Sequence, residues 1–202
     1  MRVWFNDTKN VIEFEGNKTT YDFNDKSLDM FDVYGEMTNG YQISNGVLNF
    51  DSRSEYKAIY NKQTDLSEFE VSMKVNAYYI PQINAGLYIM ASNPGYNMDK
   101  ITALNIQIEK SIETNSYNIS LFEFDSERGY IRKIEGSPTL SLDGKPINLR
   151  VIVQDGFLYV FTNHASYSLI TYKLSSSYKA GSVGIRSMLC NTEIEEFSVT
   201  TK

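Results

Sequence analysis

The sequence predicts an all-β protein: an antiparallel two-sheet β-sandwich. Three observations predict it. Apolar and polar residues alternate with period two over many short runs, as they do in half-buried strands. Turn signals separate these runs, and no helical period is sustained between them. Aromatic residues are abundant, with 15 Tyr and 11 Phe in 202 residues, and they suit a pleated surface better than a helix.

The clearest stretch is 146–161. Ile147, Leu149, Val151 and Val153 alternate with Asn148, Arg150 and Gln154. Asp155-Gly156 follows, a pair that tolerates the positive φ of a tight type I′ turn, and the apolar run 157–161 returns. This predicts a central hairpin with antiparallel strands on either side. In chain order, 2–6 is a short strand or a linker. Residues 11–14 and 18–23 are strands joined at Glu15-Gly16-Asn17, and 24–32 is a turn or a single helical turn. Residues 41–43 and 47–50 form a hairpin around Asn45-Gly46, and 56–60 is a strand. Residues 66–78 are a long strand with one solvated face, ended by Pro81, which cannot donate to the ladder. Strands follow at 86–91 and 102–109, separated by a loop at 93–97. Residues 117–124 and 130–134 form a hairpin around 125–129, and the last strands are 167–174, 182–187 and 193–200. A count of about fourteen strands exceeds an immunoglobulin domain and fits a jelly roll of two large sheets.

Composition narrows the function. The chain is 42% hydrophobic, enough for one sizeable core; residues 1–10 read as a linker or edge strand and 11–202 as one domain. A net charge of −6 lacks the basic footprint of a general nucleic-acid binder and argues against attachment to anionic lipid. A neutral partner fits it. The single cysteine, Cys190, excludes an intramolecular disulfide. No stretch reads as a signal peptide or a bilayer span. The expectation is a cytoplasmic protein or one module of a longer secreted chain.

Several segments in order carry a resemblance. They are Tyr21-Asp22-Phe23-Asn24-Asp25, Phe31-Asp32-Val33-Tyr34-Gly35, the runs 43–48, 84–91 and 149–161, and Ala180-Gly181-Ser182-Val183-Gly184-Ile185-Arg186-Ser187 leading to 195–199. Together they resemble the concanavalin A-like jelly roll (lectins and glucanases), especially the fructan-type carbohydrate-binding modules attached to glycoside hydrolases. The resemblance covers nearly the whole chain from about residue 11 and rests on hydrophobic pattern and turn glycines. It implies a glycan on the concave sheet, a covalently linked catalytic domain, and an extracellular or cell-surface setting. It also implies a structural calcium ion between an early strand and the last one. Glu13, Glu15, Asp22 and Asp25 lie early, and Glu193, Glu195 and Glu196 late, with the hard oxygens calcium takes. The other reading of these carboxylates is plain exposure, and no cofactor is assigned. Gly181 and Gly184 read as structural, where close packing leaves no room for Cβ.

Two residue sets bear on chemistry. The outward face of 102–109 presents Asn105, Gln107 and Glu109, with Tyr88 and Met90 from the neighbouring strand and Arg150 and Arg186 added. Planar polar groups pair with sugar hydroxyls, and an aromatic face takes the apolar side of the ring. This set is the candidate ligand site; the bland reading is a solvated sheet face. The second set is Glu123, Asp125 and Glu127, with the Glu-x-Asp-x-Glu spacing of jelly-roll β-glucanases. On one strand the three carboxylates would share a cleft as nucleophile, modulator and acid/base. The alternative reading is a polar hairpin turn, which Arg128-Gly129 favours. His164 falls in a turn and has no second histidine for a zinc site; Cys190 reads as a small core or loop residue. Trp4 and the tyrosines form either a stacking platform or core edges. The function expected is therefore a non-catalytic carbohydrate-binding module, with a glycoside hydrolase or a sugar-free structural or adhesion domain as alternatives.

Overall fold

The computed structural model describes residues 12–25, 27–35, 41–51, 56–76, 83–93, 101–111, 114–188 and 190–202. The expected features at 2–6, Val11, Trp4, Pro81 and 94–97 lie outside the described residues. Among the described residues there is no helix, and two eight-stranded antiparallel sheets face each other. Sheet I runs in the order β14 (Ile170–Lys173), β13 (Phe157–Thr162), β12 (Ile147–Gln154), β6 (Phe69–Asn76), β16 (Asn191–Thr201), β4 (Val47–Asp51) and β3 (Tyr41–Ser44), with β1 (Asn17–Tyr21) also on β16. Sheet II runs β10 (Tyr130–Gly136), β9 (Ser116–Asp125), β8 (Thr102–Lys110), β7 (Ile83–Asn93), β15 (Ser182–Met188), β5 (Tyr56–Asn61) and β2 (Phe31–Gly35), with β11 (Leu140–Ser141) on β9.

Period-two burial produces the layers. Phe69, Val71, Met73 and Val75 of β6 point inward and are fully buried, while Glu70, Ser72, Lys74 and Asn76 face out. Leu104, Ile106 and Ile108 of β8 meet them in one continuous core with Leu149, Val151 and Val153 of β12. Each such side chain contributes roughly 1.5–3 kcal/mol on burial, so this alternation outweighs any single surface contact.

Turn chemistry behaves as its residues dictate. Asn45 and Gly46 have φ of 52° and 73°, and Asp155 and Gly156 have φ of 54° and 75°, so both hairpins use positive φ at both central positions. The 147–162 hairpin has β6 on one side and β14 on the other, but it lies toward an edge of sheet I. The middle belongs to β6 and β16, because the eleven-residue β16 is long enough to hold β6 along one side and β4 and β1 along the other.

Three expectations need correction. Residues 12–15 form no strand, so there is no hairpin at Glu15-Gly16-Asn17; β1 pairs with the last strand instead. Phe31–Gly35, read only in part as a turn, is an edge strand on β5. Met90 does not stand beside Tyr88 on the outer face. The register slips between Ile89 and Asn93, Met90 takes a φ of 55°, and its side chain joins the main core.

Gly86 and Gly184 are required by close packing. A Cβ on Gly86 would sit 2.0 Å from the Ile106 carbonyl oxygen, and one on Gly184 would sit 2.7 Å from both the Ile59 carbonyl oxygen and the Tyr60 ring. Gly181 is equally tight, 2.5 Å from the Met90 backbone. Because the obstacle at Gly86 is backbone, Gly86→Ala is expected to cost about 2–3 kcal/mol in urea denaturation, well beyond an ordinary surface substitution.

Candidate functional site

The outer face of sheet II is built by parity. Asn105 pairs with Tyr88 and with Phe122, and Gln107 pairs with Gly86 and with Ser120, so these side chains share one face. Arg186 pairs with Gly86 from the other side and reaches across that glycine. Its Nη1 donates to Gln107 Oε1 at 2.7 Å and to Asn84 Oδ1 at 3.3 Å. Asn105 Nδ2 donates to the same Gln107 oxygen at 3.0 Å, and Gln107 Nε2 donates to Glu109 Oε1 at 3.2 Å. The other Glu109 oxygen accepts from Ser120 at 2.6 Å and lies 3.7 Å from Lys133 Nζ. A polar row therefore crosses five strands, from β15 to β10.

This row is mostly buried. Tyr88 and Asn105 are 0% exposed, Arg186 2% and Gln107 6%. Beside it is a second apolar cluster, outside the main core, of Ala58, Tyr60, Tyr88, Ala91, Ile101, Ala103 and Phe124. Tyr60 and Tyr88 stack with ring centroids 5.7 Å apart and 2° between planes, and Arg186 stands 5.8 Å from the Phe124 ring centroid. Such contacts contribute about 0.5–1.5 kcal/mol each beyond burial. Two buried atoms of the row, Asn105 Oδ1 and Arg186 Nε, have no hydrogen-bond partner. A buried acceptor or donor left unpaired costs about 1–3 kcal/mol, and such positions concentrate at functional sites.

At the Glu109 end the row opens into a cleft of about 460 Å³ lined by Asn84, Gln107, Glu109, Lys110, Asn118 and Thr139, among others. Of the six expected ligand residues, Gln107 and Glu109 reach this cleft. Tyr88, Asn105 and Arg186 lie on the same face but are buried behind it, and so are not an open platform. Arg150 is on the other sheet altogether. Its Nη2 donates to Glu70 at 2.6 Å and to the Ile12 carbonyl at 3.2 Å, and its guanidinium lies over Phe161. Asn84, Asn118 and Ser120 escaped the sequence reading, although they have the right parity along 83–93 and 116–125. Their convergence needed the strand pairing.

The three carboxylates do not line one cleft. β9 ends at Asp125, and Glu127 is exposed in the turn 126–129. Asp125 accepts from the Arg128 backbone within that turn. Glu123 pairs with Leu104 and so faces the opposite side of sheet II from Asn105. It accepts from Tyr130 at 2.9 Å, Arg132 at 2.8 Å and Tyr178 at 3.0 Å. Burial, reinforced by the Glu123 charge, pushes the Tyr178 phenol well above its usual range, so Tyr178 remains a donor.

The carboxylates considered for calcium make other contacts. Asp22 and Asp25 cap local turns through the Asn24 and Ser27 backbone, Glu193 accepts from Asn76, and Glu195 pairs with Lys74. Among the described residues no three His, Cys, Asp or Glu are grouped to hold a metal. Cys190 contacts the Asn84 amide and Thr192, not His164.

His164 instead joins the two sheets. Tyr117 of β9 points through the core to Thr162 Oγ1 at 3.1 Å and His164 Nδ1 at 2.7 Å, and His164 Nε2 meets Asp143 at 2.9 Å. A carboxylate only accepts, so Nε2 carries a proton. Burial raises the Tyr117 phenol above its ordinary range. The His164 hydrogen bond, with help from Lys145, lowers Asp143 to about 2 from 3.8. A depressed folded-state value contributes stability that is present above 3.8 and lost as pH falls toward 2. Asp143→Asn is therefore expected to lower the melting temperature at neutral pH and to flatten its decline between these two pH values, measured by calorimetry. Tyr117→Phe should destabilise at all pH values by about 1 kcal/mol, since it removes a buried inter-sheet hydrogen bond.

No protein-family model matches the sequence. No curated protein matches it either. Solved structures do match in three dimensions. The carbohydrate-binding module CBM66 from Bacillus subtilis aligns with a TM-score of 0.64 at 10% identity, over 85% of this chain and 96% of the module. The exoplasmic/lumenal domain of VIP36, bound to Ca²⁺ and mannose, aligns at 0.61 with 14% identity, over 88% and 85% of the two chains. A non-specific endo-β-1,3(4)-glucanase of family GH16, SCLam, aligns at 0.62 with 7% identity over 95% and 94%. With its two eight-stranded antiparallel sheets and these neighbours, the chain has the concanavalin A-like jelly-roll fold of lectins and glucanases.

Proposed function

We propose that this chain is a non-catalytic carbohydrate-binding module that holds a neutral glycan, a fructan end being the candidate ligand, in the sheet II cleft. The observation that carries the reading is the composition of that cleft. Amide and carboxylate side chains from three adjacent strands converge on one open volume: Asn84, Gln107, Glu109 and Asn118. Paired hydroxyls need such planar donors and acceptors. The buried Arg186 and Asn105 hold Gln107 in place from behind, so the recognition groups are preorganised. Fold likeness to carbohydrate-binding modules and lectins agrees with sugar binding but does not carry it. In this reading the module works outside the cell and keeps a covalently linked hydrolase near its polymer, which raises effective concentration rather than adding chemistry.

The non-catalytic part of the reading is supported by Glu123, which faces away from the cleft with three partners, and by the turn position of Glu127. The test is calorimetric titration with levan, inulin and barley β-glucan fragments, alongside an assay for released reducing sugar. Saturable binding without sugar release is expected, with levan or inulin fragments preferred. Glu109→Gln should weaken binding about tenfold to a hundredfold, the range for a hydrogen bond to a charged group. Sugar release that disappears in Glu123→Gln would establish a hydrolase instead.

A further inference from the structure

We propose a second glycan-binding surface, for an extended neutral polysaccharide chain, on the outer face of sheet I along β13. It is independent of the sheet II cleft and lies on the opposite side of the sandwich. The three consecutive outward positions of β13 are all aromatic: Phe157, Tyr159 and Phe161. All three are partly exposed, while Leu158 and Val160 between them are fully buried. The inward pair is what the core needs; the outward three are not part of the main core cluster. Phe157 and Tyr159 stack along the strand with centroids 6.1 Å apart and 28° between planes, so their rings form one continuous aromatic strip.

The strip runs into a cleft of about 260 Å³ lined by Asn148, Arg150, Phe161, Asn163 and Ser166, among others. Arg150 makes both of its hydrogen bonds through Nη2, and its side chain is 31% exposed, so Nη1 and Nε remain as donors at the end of the strip. Charge selects the occupant. Glu70 neutralises Arg150 at 2.6 Å, and Asp155 in the adjoining turn offsets the exposed Lys173 opposite Phe157. A neutral strip suits a neutral ligand; an anionic membrane surface would call for a basic border. A peptide added as a strand would use the sheet edge rather than this face. Aromatic faces take the C–H faces of sugar rings, and the amides and guanidinium take hydroxyls. Aromatic groups repeated in single file suit a ligand that is itself a repeating chain.

The test uses the whole chain and four probes: levan, inulin, barley β-glucan and microcrystalline cellulose. Affinity electrophoresis covers the three soluble polymers and a pull-down covers cellulose. They compare wild type, the Phe157→Ala/Tyr159→Ala double variant and Glu109→Gln. The double variant is expected to lose about tenfold in affinity for at least one polymer, the effect of two aromatic contacts. Glu109→Gln should retain this component. Melting temperature identifies a double variant that fails to fold. Wild-type amide shifts on titration with fragments of the same polymers then decide the matter, and they should move at 157–163. The proposal is overturned if no probe moves those amides, or if the strip instead mediates a dimer that the double variant abolishes in sedimentation. Loss of all binding in Glu109→Gln with none in the double variant would overturn this surface and leave the sheet II cleft standing.

Discussion

Strand β8 is buried on both faces, and much of the rest follows from that. An antiparallel sandwich ordinarily solvates its outer faces. Here every residue from Ala103 to Ile108 is buried, the core side by aliphatic packing and the outer side by a second aromatic cluster. Polar groups on such a strand cannot rely on water. Asn105 and Gln107 must find partners within the protein, and the row from Arg186 to Glu109 is the result. Gly86 belongs to the same solution: without a Cβ, β7 packs close to β8 there, and Arg186 can cross to Gln107. The row is satisfied along most of its length and short of partners at two atoms, Asn105 Oδ1 and Arg186 Nε. Where the burial ends, at Glu109, the row meets the cleft.

The two sheets divide the work differently. Sheet II spends its outer face on a buried network with one opening. Sheet I keeps a conventional half-solvated face, where Ser72 meets Ser198 and Lys74 meets Glu195, and places its aromatic side chains on the outside of one strand. Between the sheets the contact is almost wholly apolar. Among the described residues the polar links include Asn61 with Tyr21, Ser187 with Thr192, and Tyr117, which carries a hydroxyl through the core to Thr162 and His164. A phenol hydroxyl both donates and accepts, so it can serve Thr162 and His164 together. Glu123 provides a comparable anchor at the edge of sheet II by holding Tyr178, in the connection between β14 and β15. The carboxylate whose spacing resembles a catalytic group accepts hydrogen bonds from two tyrosines, Tyr130 and Tyr178.

The sequence by itself determined the fold class, most strand positions and both tight hairpins, because these depend on period-two burial and on residues that accept positive φ. It also placed Asn105, Gln107 and Glu109 on one face, since parity along a single strand is a local property. Only the tertiary structure decided which strands are neighbours. For that reason the sequence did not show that Arg150 lies on the other sheet from Asn105 and Gln107, Asn84 and Asn118 went unnoticed, and the Tyr117, His164 and Asp143 chain could not be read. A register slip in β7 reversed Met90, and β9 ends at Asp125, so Glu127 sits in a turn; local alternation records neither. Whether an outward residue meets water or a second apolar layer is likewise decided by the packing of elements distant in sequence, and that sets what the face of β8 can bind.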